Sequence, residues 1–420
     1  MYIRKVHARE ILDSRGNPTV EVEVSTKVDR TTYTAREEVP AGASTGLYEA
    51  KELRDGGKRY RGLGVQKAVN IINTKIKPRL TGLNLKDQRQ IDNIMIDLDR
   101  TKNKSKLGAN SMLGVSLACA RLSAMLDETP LYHKFGGKLL LPVPFLNIIN
   151  GGKHAQNDIS FQEYMIAPHG KNFAESLRIG AEVYHELKKI IAAKHGKSFT
   201  NVGDEGGFAP NLSRVEEPLR LIMQAVTKLG YKRKIKLAID AAASEFYYAR
   251  KGYYVNKKYI SGAELSDLYK RLAKSYPIIS IEDPFEQNDF ENFFELTKKI
   301  GKKVQIVGDD LLVTNQERIK KAISGKYCNA LLLKPNQIGT LTEALDSAAL
   351  AMRNRWKVMV SHRSGETNSS FIADLAVGIG CGQIKAGAPC RGERLAKYNQ
   401  LLRIEEELGK KAKYAGKRLF

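Results

Sequence analysis

Tryptophan occurs once and cysteine four times in the chain. Cys119, Cys328, Cys381 and Cys390 form no C-x-x-C pair, which argues against a thiolate metal site and for reduced packing thiols. A Cys381–Cys390 bridge is the one alternative that their spacing leaves. No apolar run approaches the roughly 18 residues that cross a bilayer. The opening "MYIRKVHARE" lacks the apolar middle of a signal peptide, so a soluble, cytoplasmic protein is expected. Low-complexity segments are absent. Acid is in short supply: 46 Asp and Glu stand against 69 Lys and Arg, for a net charge of +23. Such a balance favours anionic partners. The lysines are spread along the chain, however, so a solvated basic surface is the plain reading and specific nucleic-acid binding is not expected.

What is present, in 420 residues, is enough chain for a large core and about two domains. The first third holds a turn, "DSRGNP", then the alternating strand "TVEVEVST" and the glycine-rich loop "PAGASTG". "GVQKAVNIINTKIKPRL" reads as a helix ending at its proline, and "NSMLGVSLACARLSAML" as a buried helix with small residues on one side. "FGGKLLLPVP" looks like a linker. The expected division is an N-terminal α+β domain over 1–135 and a second domain over 136–420.

Beyond the linker a different rhythm begins. Apolar runs ending in polar groups recur: "PFLNIINGG", "FQEYMIAP", "IKLAIDAA", "ISIEDP", "VQIVGDD", "ALLLKPN", "KVMVSHR" and "GQIKAG". Helical stretches separate most of them. Mostly parallel strands alternating with helices predict a (β/α)8 TIM-type barrel, with an open doubly wound sheet as the alternative. Room for two helices between the second and third runs predicts an irregular start. In such barrels chemistry gathers at the strand C-terminal ends.

Three consecutive runs end in acids: Asp240, Glu282 and Asp309. Two unit charges 4 Å apart repel by ~4 kcal/mol at an effective dielectric of 20. An ionised, unpaired triplet is therefore untenable. The acids take up protons, pair with lysines, or bind a cation, for which all-oxygen ligands suit Mg²⁺. Lys334 follows three leucines. Burial and a nearby cation would lower its pKa and make it a base; alternatively it is the acids' counter-ion. Arg363 offers a planar fork for phosphate, Ser364 a hydroxyl, and Lys385 a further cation. His362 alone reads more readily as structural. "NGGKHAQND" places His154 in a mobile glycine-rich loop. Gln162, Glu163 and Glu205 are polar residues at loop ends, the last two being candidate acids or solvated carboxylates.

Together these segments resemble the enolase family, nearly end to end. The motifs are "DSRGNPTVEVEV", "GASTG", "NGGKHAQND", "QEYM", "GDEGGFAP", "DAAASEF", "IEDPF", "VGDDLLVTN", "LLLKPNQIGT", "SHRSGET" and "GQIKAGAP", with "RLAKYNQLLRIEEEL" toward the C-terminus. The resemblance implies reversible dehydration of 2-phospho-D-glycerate to phosphoenolpyruvate with two Mg²⁺ ions. It assigns Asp240, Glu282 and Asp309 to one ion and Ser44 to the other. Lys334 would take the carbon 2 proton, and Glu205, helped by Glu163, would protonate the leaving hydroxyl. Lys334 is then expected near neutral, with Glu205 keeping a proton or recovering one through Glu163. Arg363 and Ser364 would hold phosphate and Lys385 the carboxylate, with His154, Gln162 and His362 lining the pocket and His154 arriving on loop closure. A homodimer is implied, octamers occurring in the family, with Glu21 and Arg403 as candidates for a cross-subunit ion pair. The sequence departs from the family pattern at Ala41 and Gly392, where serine is commoner. It departs again at Asn368 and Ser369, near which an acid is usual, a change that bears on how Arg363 is positioned and not on the chemistry.

Overall fold

The computed structural model describes residues 1–43, 46–155 and 157–416. Ser44, expected to bind a metal, lies outside the described residues. In "TVEVEVST" every second residue is apolar, and a period of two gives a strand with one buried face. Val20, Val22 and Val24 are accordingly buried. They belong to β2 (Pro18–Val28), which pairs antiparallel with β1 (Lys5–Leu12) and β3 (Thr31–Glu38).

The next helix does not end at its proline. α1 (Gln66–Ile71) runs through a π-turn at Ile72–Ile76 into α2 (Lys77–Leu80), and Pro78 sits in the first turn of α2, where a missing N–H is tolerated. α3 (Gln88–Asp99) and α4 (Ala109–Leu126) complete this layer. By length and composition α4 could cross a membrane, but 83% of it is buried inside the protein. A Cβ on Gly114 would stand 2.6 Å from Val22, so glycine here lets α4 lie close on the sheet.

The barrel begins with β4 (Val143–Asn150) and β5 (Glu163–Pro168), followed by two helices, α5 (Phe173–His195) and α6 (Glu217–Lys228). After β6 (Ile235–Asp240) the chain leaves the barrel for a small antiparallel meander, β7 (Tyr247–Tyr248), β8 (Gly252–Val255) and β9 (Lys258–Ile260). Strands and helices then alternate: α7 (Gly262–Ser275), β10 (Ile278–Glu282), α8 (Phe290–Ile300), β11 (Gln305–Gly308), α9 (Gln316–Gly325) and β12 (Ala330–Leu333). α10 (Leu341–Arg353), β13 (Lys357–Ser361), α11 (Phe371–Ile379), β14 (Gln383–Lys385) and α12 (Gly392–Leu408) finish the chain. The strands close in the order β4-β5-β6-β10-β11-β12-β13-β14. The sheet is closed rather than open, and its irregular start is β5, antiparallel to both neighbours while all other pairs are parallel.

Strand parity separates two cores. Leu237, Ile239, Ile281, Leu331, Leu333 and Val360 join the large cluster beneath the helices. Residues of the other parity, Phe145, Met165, Ala238, Val307, Leu332 and Met359, form a second cluster filling the barrel. One step further along the inward parity come Asn147, Asp240, Asp309, Lys334, Ser361 and Lys385. β5 runs the other way, so its first residue, Glu163, arrives at the same end, opposite Asp240 in register. Cys119, Cys328, Cys381 and Cys390 are all free thiols, so the Cys381–Cys390 alternative is not realised.

Candidate active site

At the mouth of the barrel Lys385 answers the charge problem posed by the acids. Its Nζ donates to Asp240 Oδ2 at 2.8 Å and to both Glu282 oxygens at 2.9 Å, and stands 3.2 Å from Glu163 Oε2. Glu282 and Asp240 are paired in register, which forces their carboxylates together. Asp309 is held by Lys334, whose Nζ donates to Oδ2 at 2.5 Å, and by Gln337 Nε2 at 2.8 Å. The lysines therefore act here as counter-ions. Burial alone would push Lys334 down, but the Asp309 charge outweighs it and holds Lys334 above its usual range. Lys385 is likewise held well above, its burial overcome by Asp240, Glu163 and Glu282. The near-neutral Lys334 is expected beside bound Mg²⁺; in this arrangement the lysine is the counter-ion of Asp309, the alternative reading of its position.

The donor set suits a hard divalent cation. The three acids offer only carboxylate oxygens, and an ammonium close to three of those oxygens marks where positive charge is favoured. Burial and the neighbouring Asp240 push Glu282 well up, as expected for acids short of positive charge. Among the described residues, two groups have all their ligand atoms within 4.8 Å of one another: His154, Glu163 and Glu205, and Asp283, Asp309 and Asp310. Asp283 is fixed by accepting from the Asp309 and Asp310 amides at 2.9 and 2.6 Å. Burial, then the charge of Asp309, pushes Asp310 up to about 8.

Opposite the lysines lies a histidine–carboxylate cluster. Arg394 donates to His362 Nδ1 at 2.6 Å, so the imidazole proton sits on Nε2, which faces Glu205 Oε2 at 3.4 Å. Asn147 Nδ2 donates to Glu205 Oε2 at 2.9 Å, and the Ser364 hydroxyl to Oε1 at 3.2 Å. Ser364 Oγ also lies 2.9 Å from His154 Nε2. Burial would raise Glu205, but His154, His362 and the Arg394 charge reverse this and hold it well below the usual range. Burial and the neighbouring Glu205 drive Glu163 well up. Of the two acids, Glu163 is therefore the one biased toward its protonated form and Glu205 toward its ionised form. His154 Nδ1 faces both, at 3.6 Å from each. Burial pushes both histidines down, His362 to about 4. His154 is already inside: it is buried on a short turn, with Gly152 at φ 50 making the bend. Gln162 is buried too, its amide donating to Asp240 O at 3.0 Å and its Oε1 unpaired, an acceptor left for a ligand to satisfy.

Arg363 is not an open fork. Its Nη1 donates to Glu49 Oε2 at 2.9 Å and to Asn336 Oδ1 at 3.2 Å, while Nη2 donates to Glu49 Oε1 at 3.3 Å. Glu49 comes from the N-terminal layer, so both parts of the chain build this corner. Ala41 pairs with Gly365 by two backbone hydrogen bonds of 2.8 and 2.9 Å, contacts that do not depend on its side chain. The segment after Arg363 is supported by Glu366, which accepts from the Arg363 amide at 3.2 Å and pairs with Lys397 at 2.6 Å. Ser369 Oγ donates to Glu37 at 2.6 Å, so the acid missing near 368–369 is supplied across from β3. At Gly392 a Cβ would meet nothing within 4 Å, and α12 begins there without a side-chain cap.

Sequence reasoning missed Glu49, Asp283, Asp310, Glu366 and Arg394. Arg394 is fully buried and donates to the Arg363, Ser364 and Asp204 carbonyls at 2.6, 2.6 and 2.9 Å. A signal existed: Arg394, Lys397, Tyr398 and Leu401 share the buried stripe of α12, and cations on such a stripe must be paired. The described residues close onto a cavity of about 20 Å³, room for about one water-sized group, lined by His154, Glu163, Glu205, Lys334, Arg363 and Lys385 among others. Larger hollows lie elsewhere on the surface, but the facing acids and bases are here.

Two family models match the chain, one described as the enolase N-terminal domain over residues 3–135 and the other as the enolase C-terminal TIM barrel domain over 138–420. The chain is also similar to an enolase of Solanum lycopersicum, 54% identical over 434 residues, covering 99% of this chain and 97% of that protein.

Proposed function

The chain belongs to the enolase family and is a hydro-lyase, a phosphopyruvate hydratase of glycolysis, and on that premise we propose how its residues divide the reaction. The observation that carries the reading is that Lys334 and the Glu205–Glu163 pair line one small cavity from different elements. The substrate is 2-phospho-D-glycerate, and the product phosphoenolpyruvate. Asp240, Glu282 and Asp309 would hold one Mg²⁺ and Ser44 the other.

A hydrogen beside a carboxylate is weakly acidic because its loss places a second negative charge on that carboxylate. Bound magnesium would offset this charge and share that of Asp309. Where that cation shares the charge of Asp309, burial would lower Lys334 and suit it as the base for the carbon 2 proton. Lys385 would be the cation for the substrate carboxylate where Mg²⁺ shares the charge of Asp240 and Glu282. Arg363 and Ser364 hold the phosphate, and His154, Gln162 and His362 complete the lining. The carbon 3–oxygen bond then breaks, and the departing hydroxide leaves as water with a proton from the Glu163–Glu205 pair. Glu163 holds that proton and Glu205, ionised among its donors, relays it. Residues 1–135 form the cap that supplies Glu49, and 136–420 the catalytic barrel. We read the protein as a cytoplasmic homodimer. Glu21 pairs with Arg9 of its own chain, and the exposed Arg403 donates to Gln400 at 3.3 Å. A cross-subunit Glu21–Arg403 pair therefore requires Glu21 to exchange partners.

Lys334→Ala should abolish exchange of the carbon 2 proton with solvent and lower kcat by roughly 10³-fold or more. Glu205→Gln should keep part of the exchange while blocking dehydration. Isotope exchange followed by NMR, with Mg²⁺ binding measured by calorimetry, separates the two. Equal loss of exchange in both variants, with metal and substrate still bound, would refute the division of roles.

A further inference from the structure

The sequence "YYARKGYYVNKKY" folds into the β7–β9 meander, outside the catalytic barrel. Register decides what its outer face displays. Tyr254 lies opposite Tyr259, and Tyr248 opposite Gly252 on the same face. Tyr247 and Tyr253, opposite each other, have the other parity and are 39% and 1% exposed, whereas Tyr248, Tyr254 and Tyr259 are 48%, 38% and 45% exposed. The three outer rings meet one another, with centroids 6.4 Å apart for Tyr248–Tyr254, 5.5 Å for Tyr248–Tyr259 and 5.0 Å for Tyr254–Tyr259. Gly252 leaves the place opposite Tyr248 without a side chain.

A patch of large exposed rings needs a reason, since such surface is ordinarily buried or used. Cations bracket it. Arg250 and Lys251 occupy the turn between β7 and β8, and Lys257 and Lys258 the turn and strand start between β8 and β9. Lys251 Nζ stands over the Tyr259 ring, 5.3 Å from its centroid, which places a cation directly beside the ring cluster. Acids do contact the meander, Asp289 accepting from the Tyr253 hydroxyl at 2.6 Å and Glu216 from Asn256 Nδ2 at 3.3 Å, but the ion pair of Lys257 with Asp158 is long, 3.7 Å, with both side chains well exposed.

We propose that this meander is a docking surface for single-stranded nucleic acid, bases stacking on Tyr248, Tyr254 and Tyr259 and phosphates meeting the cations at either end. Aromatic rings on a rigid sheet, flanked by positive charge, bind unpaired bases without much regard to sequence. The charge distribution, unlike the even spread inferred from the linear sequence, places cations at both edges of the ring cluster. An anionic membrane fits less well. All three outward rings are tyrosines carrying hydroxyls, and no exposed leucine, phenylalanine or methionine lies on the meander to enter acyl chains.

The test is fluorescence anisotropy of a labelled 12-mer of oligo(dU) with the full chain at two salt concentrations. Each Tyr→Ala substitution at 248, 254 or 259 should weaken binding by roughly tenfold, while Tyr→Phe at the same positions should leave it nearly unchanged. Lys251→Ala with Lys257→Ala should reduce the salt dependence yet leave the tyrosine effect in place. Dehydratase activity should be unaltered in all of them, which checks the fold. The proposal fails if the tyrosine variants bind as the parent does, if duplex DNA binds as tightly as the single strand, if no binding is seen near physiological salt, or if only anionic vesicles bind.

Discussion

The mouth and the floor of this barrel are built from the same strands, a few residues apart, and they solve the burial of polar groups in opposite ways. At the floor Gln305 Nε2 donates to Ser280 Oγ and to Gln383 Oε1, both at 2.9 Å, and Gln383 Nε2 returns a bond to Gln305 Oε1 at 3.0 Å. The pair is neutral and mutually satisfied. Between floor and mouth the axis is apolar, filled by Phe145, Met165, Leu332 and Met359. At the mouth charges replace amides, and each lysine serves acids whose own positions are imposed by register. A neutral, satisfied pair asks for nothing more. A charged cluster held by lysines is poised to exchange partners, which is what binding a dication and an anionic substrate requires.

This contrast can be broken most severely at Lys385. Lys385→Ala should destabilise the metal-free protein by ~3–5 kcal/mol near neutral pH, because Asp240 and Glu282 are left buried without their counter-ion. Urea unfolding measures this. Millimolar Mg²⁺ should recover most of the loss; no recovery would mean that a dication does not replace the ammonium there.

The second difference is pH sensitivity. His362 stays neutral in the folded protein down to about 4, whereas its ordinary value is 6.5. Between those values the unfolded chain binds the additional proton, so this contribution is complete above 6.5 and is lost as pH falls toward 4. His362→Gln should flatten that slope by up to ~3 kcal/mol in urea titrations across the window. A slope unchanged by the substitution would remove His362 as its source. The floor holds no titrating side chain in its amide pair and should contribute no such slope.

The smallest effects are expected at the floor itself. Gln305→Leu alone should cost ~1–3 kcal/mol, by stranding Gln383 and Ser280. The double change Gln305→Leu with Gln383→Leu should fall well below the sum of the single changes, since both partners of the bond go together. A simple sum in a double-mutant cycle would show that the amides do not act as a pair.

Much of this was legible in the chain. The strands, their acidic or basic ends and the irregular start follow from apolar runs whose length and punctuation suit strands between helices. Asp240, Lys334 and Lys385 could be picked out because a charge ending a buried run is conspicuous. Glu49 could not, because it follows a loop in the other half of the chain and nothing local predicts its pairing with Arg363. Arg394 hid in a helix whose buried stripe had first to be recognised. The direction in which each group's pKa moves was not legible either, because the charges surrounding Lys334 and Glu205, which reverse what burial alone would do, come from distant segments.

By itself the amino-acid order determined the strand and helix periods, the division of residues between the two faces of each strand, and the family to which the chain belongs. Tertiary structure alone decided which carboxylate meets which ammonium, that β5 brings Glu163 to the mouth backwards, and that Tyr248, Tyr254 and Tyr259 of the meander meet on one face. Periodicity is a local property of the backbone. Electrostatic partnership depends on distances between segments far apart in the chain, and only closing the barrel sets them.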